Sequence, residues 1–129
     1  MTRLVRFRAA RGEFAVPVEH VLEVRSVAAV VPMALPADDV VGLLPRADDT
    51  LTVHAALGPD GEHVIVFDAG EAPFGVLVEH VLGVVVCDAR EVGPPPAGQS
   101  GDLVSGLVRS GGDVVLLLDA EALGRKVAA

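Results

Sequence analysis

Apolar and polar residues alternate along this chain in short runs broken by turns, and one stretch of the pattern occurs twice. Leu4 to Arg8 sets Val5 and Phe7 on one face of a strand and Arg6 and Arg8 on the other. Phe14, Val16 and Val18 share a face in the same way, and VEHVL then breaks the two-residue period with a single tight turn. The segment Phe14 to Val24, FAVPVEHVLEV, returns at Phe74 to Val84 as FGVLVEHVLGV. Phe14/Phe74, Val16/Val76, Val18/Val78, Glu19/Glu79, His20/His80, Val21/Val81, Leu22/Leu82 and Val24/Val84 are identical. Coincident Val and Leu are expected in so aliphatic a chain. The repeated Phe and the Glu-His pair in a fixed frame are not, so the pattern predicts two similar half-domains.

Between the copies the chain reads as further short strands. Arg11-Gly12 is a turn into the second strand, and Val24 to Val27 continues extended after the EHV turn, with Glu23 and Arg25 on the face opposite Val24. Pro32 and Pro36 bracket an extended connection, VPMALP, that no helix or central strand accommodates. Val40 to Leu44 is a strand in which Gly42 marks a bulge or a close backbone approach. A polar turn, Pro45 to Asp49, leads to a strand with Leu51 and Val53, and HAALG then makes one helical turn stopped by Gly58. Pro59-Asp60-Gly61 forms a turn in which Gly61 accepts positive φ, before HVIVFD enters a buried strand.

The repeat extends downstream. VVGLLPR at 40–46 is echoed by VSGLVR at 104–109, and TLTVHAALG by VVLLLDAEALG ending at Gly124, with a frayed tail beyond. The Pro/Gly/Ser stretch VGPPPAGQSGD corresponds in position to VVPMALPADD, GLVRSGG is a hairpin turn, and Asp119 caps a helical turn. About five strands per half, spaced by roughly 8–12 residues, predict an all-β fold of two small barrels with short helical turns.

Composition narrows the function. In 129 residues, 51% of them apolar but with four Phe and no Tyr or Trp, the core is built of Val, Leu and Ala. A net charge of -8 excludes a nucleic-acid backbone as partner. Cys87 has no partner for an internal disulfide and sits in the apolar run VLGVVVC, as a small buried thiol does. The basic N-terminus MTRLVRFRAARGE has no signal-peptide core, and the longest apolar runs are too short to span a bilayer. A cytosolic protein with no direct membrane insertion is expected.

The residues that could carry chemistry do not assemble. Glu19-His20 and Glu79-His80 are sequence neighbours whose side chains diverge, and no HExxH, CxxC or third carboxylate accompanies them. His54 and His63 lack a Ser or Cys nucleophile, Ser105 lacks the GxSxG frame, and GLVRSGG is no phosphate loop. No catalytic residue, metal or cofactor is assigned. A small metal- or ligand-binding β protein using His20, His80 and the two Glu residues is the competing reading.

In this order the motifs resemble the CheW-like domain, the coupling adaptor of bacterial chemosensory arrays. The family's strand followed by V-x-E-V is similar to Phe14 to Val24, with Glu23 in the acidic position. Its vP-x-ap segment and Gly resemble Val31 to Pro36 with Val40 and Gly42. In the second half G-x-x-V-D-x-V resembles Gly75 to Val81 with Glu79 in place of Asp, and the later elements resemble Val92 to Pro96, Gly106-Leu107 and Leu118 to Leu123.

The resemblance implies one domain over 1–129, made of two intertwined five-stranded SH3-like barrels from the duplication. Half-barrels at roughly 14–65 and 66–124 are expected, with the N-terminal strand 3–9 packing against the second. It also implies no catalysis, and docking to a chemoreceptor cytoplasmic tip and to a CheA-type histidine kinase regulatory domain, with other CheW-like domains as further partners at arrays on the inner membrane. Val21, Glu23, Gly42, Arg46 and Val84 are the implied partner-binding residues, with Glu23 and Arg46 near one another. Gly42 is followed by LLPRAD where the family has NLRG, and the connection between HAALG and HVIVF is short. An adaptor that binds only one of the two partners is therefore a further alternative.

Overall fold

The computed structural model describes residues 1–9, 12–33, 39–98, 103–110 and 112–128. Parts of the expected Arg11-Gly12 turn, of VPMALP, of VGPPPAGQSGD and of GLVRSGG lie outside them. The chain runs β1 (Thr2–Ala9), β2 (Gly12–Pro17), β3 (Val21–Ser26), β4 (Val31–Pro32), β5 (Val40–Pro45) and β6 (Thr50–His54). It continues as β7 (His63–Phe67), β8 (Phe74–Val78), β9 (His80–Cys87), β10 (Val92–Gly93), β11 (Val104–Ser110), β12 (Asp113–Leu118) and the α-helix α1 (Ala120–Ala128), with short 3-10 turns at Val18–His20, Val27–Ala29 and Ala89–Glu91.

These strands form two six-stranded sheets, β10-β11-β12-β2-β1-β9 and β3-β7-β8-β6-β5-β4. The count is six in each because the two-residue strands β4 and β10 pair at its end. The two orders become identical when each of β1 to β6 is exchanged for its counterpart among β7 to β12. Each sheet thus takes its opening hairpin from one repeat and its remaining strands from the other. The joints are short parallel pairings, Leu116↔Phe14 and Leu117↔Ala15 in one sheet and Val53↔Gly75 and His54↔Val76 in the other.

The repeat begins earlier than Phe14. Phe7 pairs with Phe14 in β1–β2 and Phe67 with Phe74 in β7–β8, so Val5/Ile65, Phe7/Phe67 and Ala9/Ala69 are also equivalent. All four Phe stack in two matched pairs, with ring centroids 5.7 Å apart for Phe7–Phe14 and 5.5 Å for Phe67–Phe74. Both pairs lie in one core shared by the two sheets, with Val16, Val76, Leu118 and Leu123. A second core (Leu44, Leu51, Val53, Val64, Val66, Leu77) belongs to the β3–β8 sheet, and a third (Leu4, Ala15, Cys87, Val108, Val115) to the other. β7 and β8 bury both faces because they separate the shared core from the second, and β1 and β2 do so only at Leu4 and Ala15, which reach the third.

Charged residues of the first hairpin interrupt this symmetry. Arg6 occupies the place of Val66 and is neutralised by Glu13 (Nε to Oε2, 3.0 Å) and by Asp113 of β12 (3.3 Å), while Arg8 also reaches Glu13 (3.1 Å). The two arginines hold the Glu13 carboxyl below its ordinary range, through hydrogen bonds first and charge second. The Arg6–Asp113 contact ties the hairpin of one repeat to the last strand of the other.

Three expectations change. HAALG is a single hydrogen-bonded turn, Gly58 N–H to Ala55 O at 3.2 Å, and not a helical turn. Gly61 serves close approach, not positive φ, since a Cβ there would sit 2.1 Å from Val78 O. The tail after Gly124 is helical to Ala128, and Gly124 lies inside α1, where a Cβ would meet Ala69 O at 3.1 Å and the Phe74 ring at 3.3 Å. The helix survives its Gly because that residue packs on the shared core. Its start is capped as expected, with Ala122 N–H donating to Asp119 Oδ1 at 3.0 Å, and Arg125 and Lys126 suit the negative end of its dipole.

Because the two Phe pairs hold equivalent places, Phe14→Ala and Phe74→Ala should each destabilise the protein by about 3–5 kcal/mol. Thermal denaturation followed by circular dichroism checks this. An unchanged melting temperature for either variant would contradict the shared core.

Candidate functional site

Both sheets end in an edge strand that follows the repeated VEH segment, and these edges carry the candidate surfaces. In the first copy Val18–His20 is a 3-10 turn, and in the second the chain bends at Glu79 and enters β9 directly. Each edge then bulges at the same residue. The β3–β7 register shifts between Val21 and Glu23, and the β1–β9 register shifts where Val81 and Gly83 flank Leu82. The bulge turns Leu22 and Leu82 to solvent. Beyond it Val24 lies opposite Ile65 and Val84 opposite Val5, so each edge continues the shared core outward as an exposed apolar strip.

The two strips differ in their surroundings. On β3, Glu23 accepts from Arg25 (Nη1 to Oε1, 3.2 Å) and lies 3.8 Å from Arg46 Nε, which is itself 3.0 Å from Asp49 Oδ1. Arg46 N–H also donates to Asp49 O at 2.8 Å, closing the polar turn from which its side chain reaches β3. The Arg46 Nη1 atom is buried without an acceptor among the described residues. On β9 the positions of Glu23 and Arg25 are taken by Gly83 and Val85, and no Asp, Glu, Lys or Arg occurs from His80 to Cys87. Its strip is longer, with Leu82, Val84 and Val86 all exposed.

The expected partner-binding residues fall into three groups. Glu23 and Arg46 are brought together, although the nearest partner of each is another residue, Arg25 on the same strand face for Glu23 and Asp49 for Arg46. Val84 is 58% exposed on its strip. Val21 and Gly42 present little surface. Val21 is half-buried opposite Phe67 and packs on the shared core. Gly42 is buried at a bulge of β5, where a Cβ would sit 2.3 Å from Val31 O of β4, and its repeat counterpart Gly106 shows the same bulge and the same approach, 2.6 Å to Gly93 O. Any part Gly42 plays in a contact is to shape the β4–β5 surface.

The Glu-His pairs are held apart by their neighbours. His20 Nδ1 lies 3.3 Å from Asp68 O, whereas His80 Nδ1 lies 3.6 Å from Glu62 Oε2 and its ring 5.1 Å from that of His63. Among the described residues no group of three His, Cys, Asp or Glu is placed to hold a metal ion, and no polar or charged residue is fully buried. Burial pushes the Cys87 thiol up, away from the thiolate a nucleophile needs, with Glu91 adding to it. His54 is shifted down, chiefly by burial and against the pull of Asp39, which favours the neutral ring. The arrangement presents apolar and charged surface and, among the described residues, no assembled metal site.

Comparison with known proteins agrees with this architecture. The family model described as CheW-like domain matches residues 3–128. The crystal structure of the scaffolding protein TtCheW from Thermoanaerobacter tengcongensis is similar with a TM-score of 0.81 and 16% sequence identity, covering 95% of this chain and 91% of that one. The likeness shows the fold, two SH3-like barrels. A search of curated proteins finds no match.

Since a methyl group at Gly42 or Gly106 has no room, Gly42→Ala and Gly106→Ala should each lower stability by about 1–3 kcal/mol. Chemical denaturation measures the loss, and a wild-type midpoint for both would contradict the close approach of β4 and β10.

Proposed function

We propose that this chain, which belongs to the CheW-like domain family, is a non-catalytic chemosensory adaptor that holds two different partners on its two edge faces. The partners are a chemoreceptor cytoplasmic tip and the regulatory domain of a CheA-type histidine kinase. One observation carries the reading: the duplication keeps the core residues of the two halves and changes the residues around the two exposed strips. Selection for folding alone accounts for the shared Phe, Val and Ala. It does not account for one edge ringed by Glu23, Arg25, Arg46 and Asp49 and another left apolar, because ion pairs in contact with solvent contribute only about 0–1 kcal/mol each to stability. Apolar strips of this size suit modest contacts, which an array of many adaptors, receptors and kinases makes persistent. The proposed setting is the cytoplasmic side of the inner membrane at receptor arrays. Among the described residues no helix is long and apolar enough to cross a membrane.

Calorimetric titration against a chemoreceptor cytoplasmic fragment and a kinase regulatory domain tests this. Wild-type protein should bind both. Val24→Asp and Val84→Asp should fold normally, and each should weaken one partner by about tenfold or more while sparing the other. Glu23→Lys should act like Val24→Asp, with Arg46→Glu restoring part of the loss if their 3.8 Å contact shapes the face. Binding to neither fragment would overturn the adaptor reading, and binding to only one would reduce it to a single-partner modulator.

A further inference from the structure

We infer that Arg3 is a specificity-determining contact of the β9 face, taking a carboxylate from the segment whose apolar residues cover Val84 and Val86; this rests on the adaptor reading above. Arg3 lies directly opposite Val86 in the β1–β9 register. Residues opposed across an antiparallel pair share a face of the sheet with their Cβ atoms about 5 Å apart, so the Arg3 side chain leaves the sheet beside the apolar strip. Arg3 is exposed and has no ion pair among the described residues, whereas Arg6 and Arg8 on the same strand both pair with Glu13. An exposed cation left beside 52% exposed Val86 and 58% exposed Val84 is a recognition pattern: one charge and an apolar patch within the reach of one side chain.

The other repeat shows that the pattern is not a consequence of the fold. There the place of Arg3 is taken by His63, whose Nδ1 accepts the Val81 N–H at 3.3 Å, and the place of Val86 by Ser26. The β3 face therefore offers no free cation at that position. Charge also selects the occupant. The chain carries a net charge of -8, so an acidic partner is repelled at a distance unless a local cation meets it. A second copy of this chain docked strip to strip covers the valines, but β9 contains no Asp or Glu to pair with Arg3, and two molecules of charge -8 repel. An amphipathic segment with an apolar row flanked by a carboxylate satisfies both features.

The test uses the full chain and the same two fragments, at two or more salt concentrations. Arg3→Ala should keep the wild-type melting temperature. It should weaken binding of the fragment lost in Val84→Asp by about 3- to 10-fold, flatten the salt dependence of that binding and leave the other fragment unaffected. Arg3→Glu should weaken it further. If Val84→Asp abolishes binding while Arg3→Ala changes neither affinity nor salt dependence, the inference about Arg3 is wrong and the adaptor reading stands. If neither fragment binds wild-type protein, both fall. If sedimentation instead shows a wild-type dimer that Val84→Asp dissociates, a second copy occupies the face and the inference is overturned.

Discussion

The exchange of opening hairpins between the two halves is the constraint on which the rest of the molecule depends. β1 and β2 complete a sheet whose remaining strands come from the second repeat, and β7 and β8 complete one whose remaining strands come from the first. The two Phe pairs sit where these hairpins meet, so neither half closes its core without the other. The parallel joints span only two residue pairs each, too few to hold a sheet by backbone hydrogen bonds alone. Burial of aromatic and branched side chains in the shared core supplies the stabilisation, and it ties the halves into one cooperative unit.

That rigidity bears on function because each edge strand pairs directly with a hairpin of the core. Val24 faces Ile65 and Val84 faces Val5, and both partners are buried in the shared cluster. The exposed strips are therefore the outer margin of a packed interior, and their positions are fixed by packing and not by loops. A surface held this way loses little conformational freedom on binding, which favours recognition by few residues. The bulges at Leu22 and Leu82 add to this by turning a large side chain outward at the same point of both edges.

Much of this was legible in the sequence, and the gaps have physical causes. The duplication, the strands, the bulge at Gly42 and the Asp119 cap follow from local residue patterns. The start of the repeat is hidden in the sequence because Arg6, Arg8, Glu13 and Gly12 occupy the places of Val66, Asp68, Pro73 and Ala72, which masks the shared Phe7/Phe67 and Ala9/Ala69 at a spacing identical to that of Phe14/Phe74. The helix beyond Gly124 was missed because a Gly needed for contact with Ala69 and Phe74 reads, by itself, as a stop. Asp49 as the partner of Arg46 had a signal, an (i, i+3) spacing inside a polar turn. Arg25 also had one, an (i, i+2) spacing that puts it on the same strand face as Glu23. Arg3 had none, since its environment depends on which strands become neighbours.

We propose that two faces, alike in backbone and unlike in chemistry, hold two partners at once. Sedimentation of the protein mixed with a chemoreceptor cytoplasmic fragment and a kinase regulatory domain measures this directly. The expected result is a complex containing all three components, in which saturation with one partner does not displace the other. Displacement of one fragment by the other, with only two-component complexes at any ratio, would contradict it.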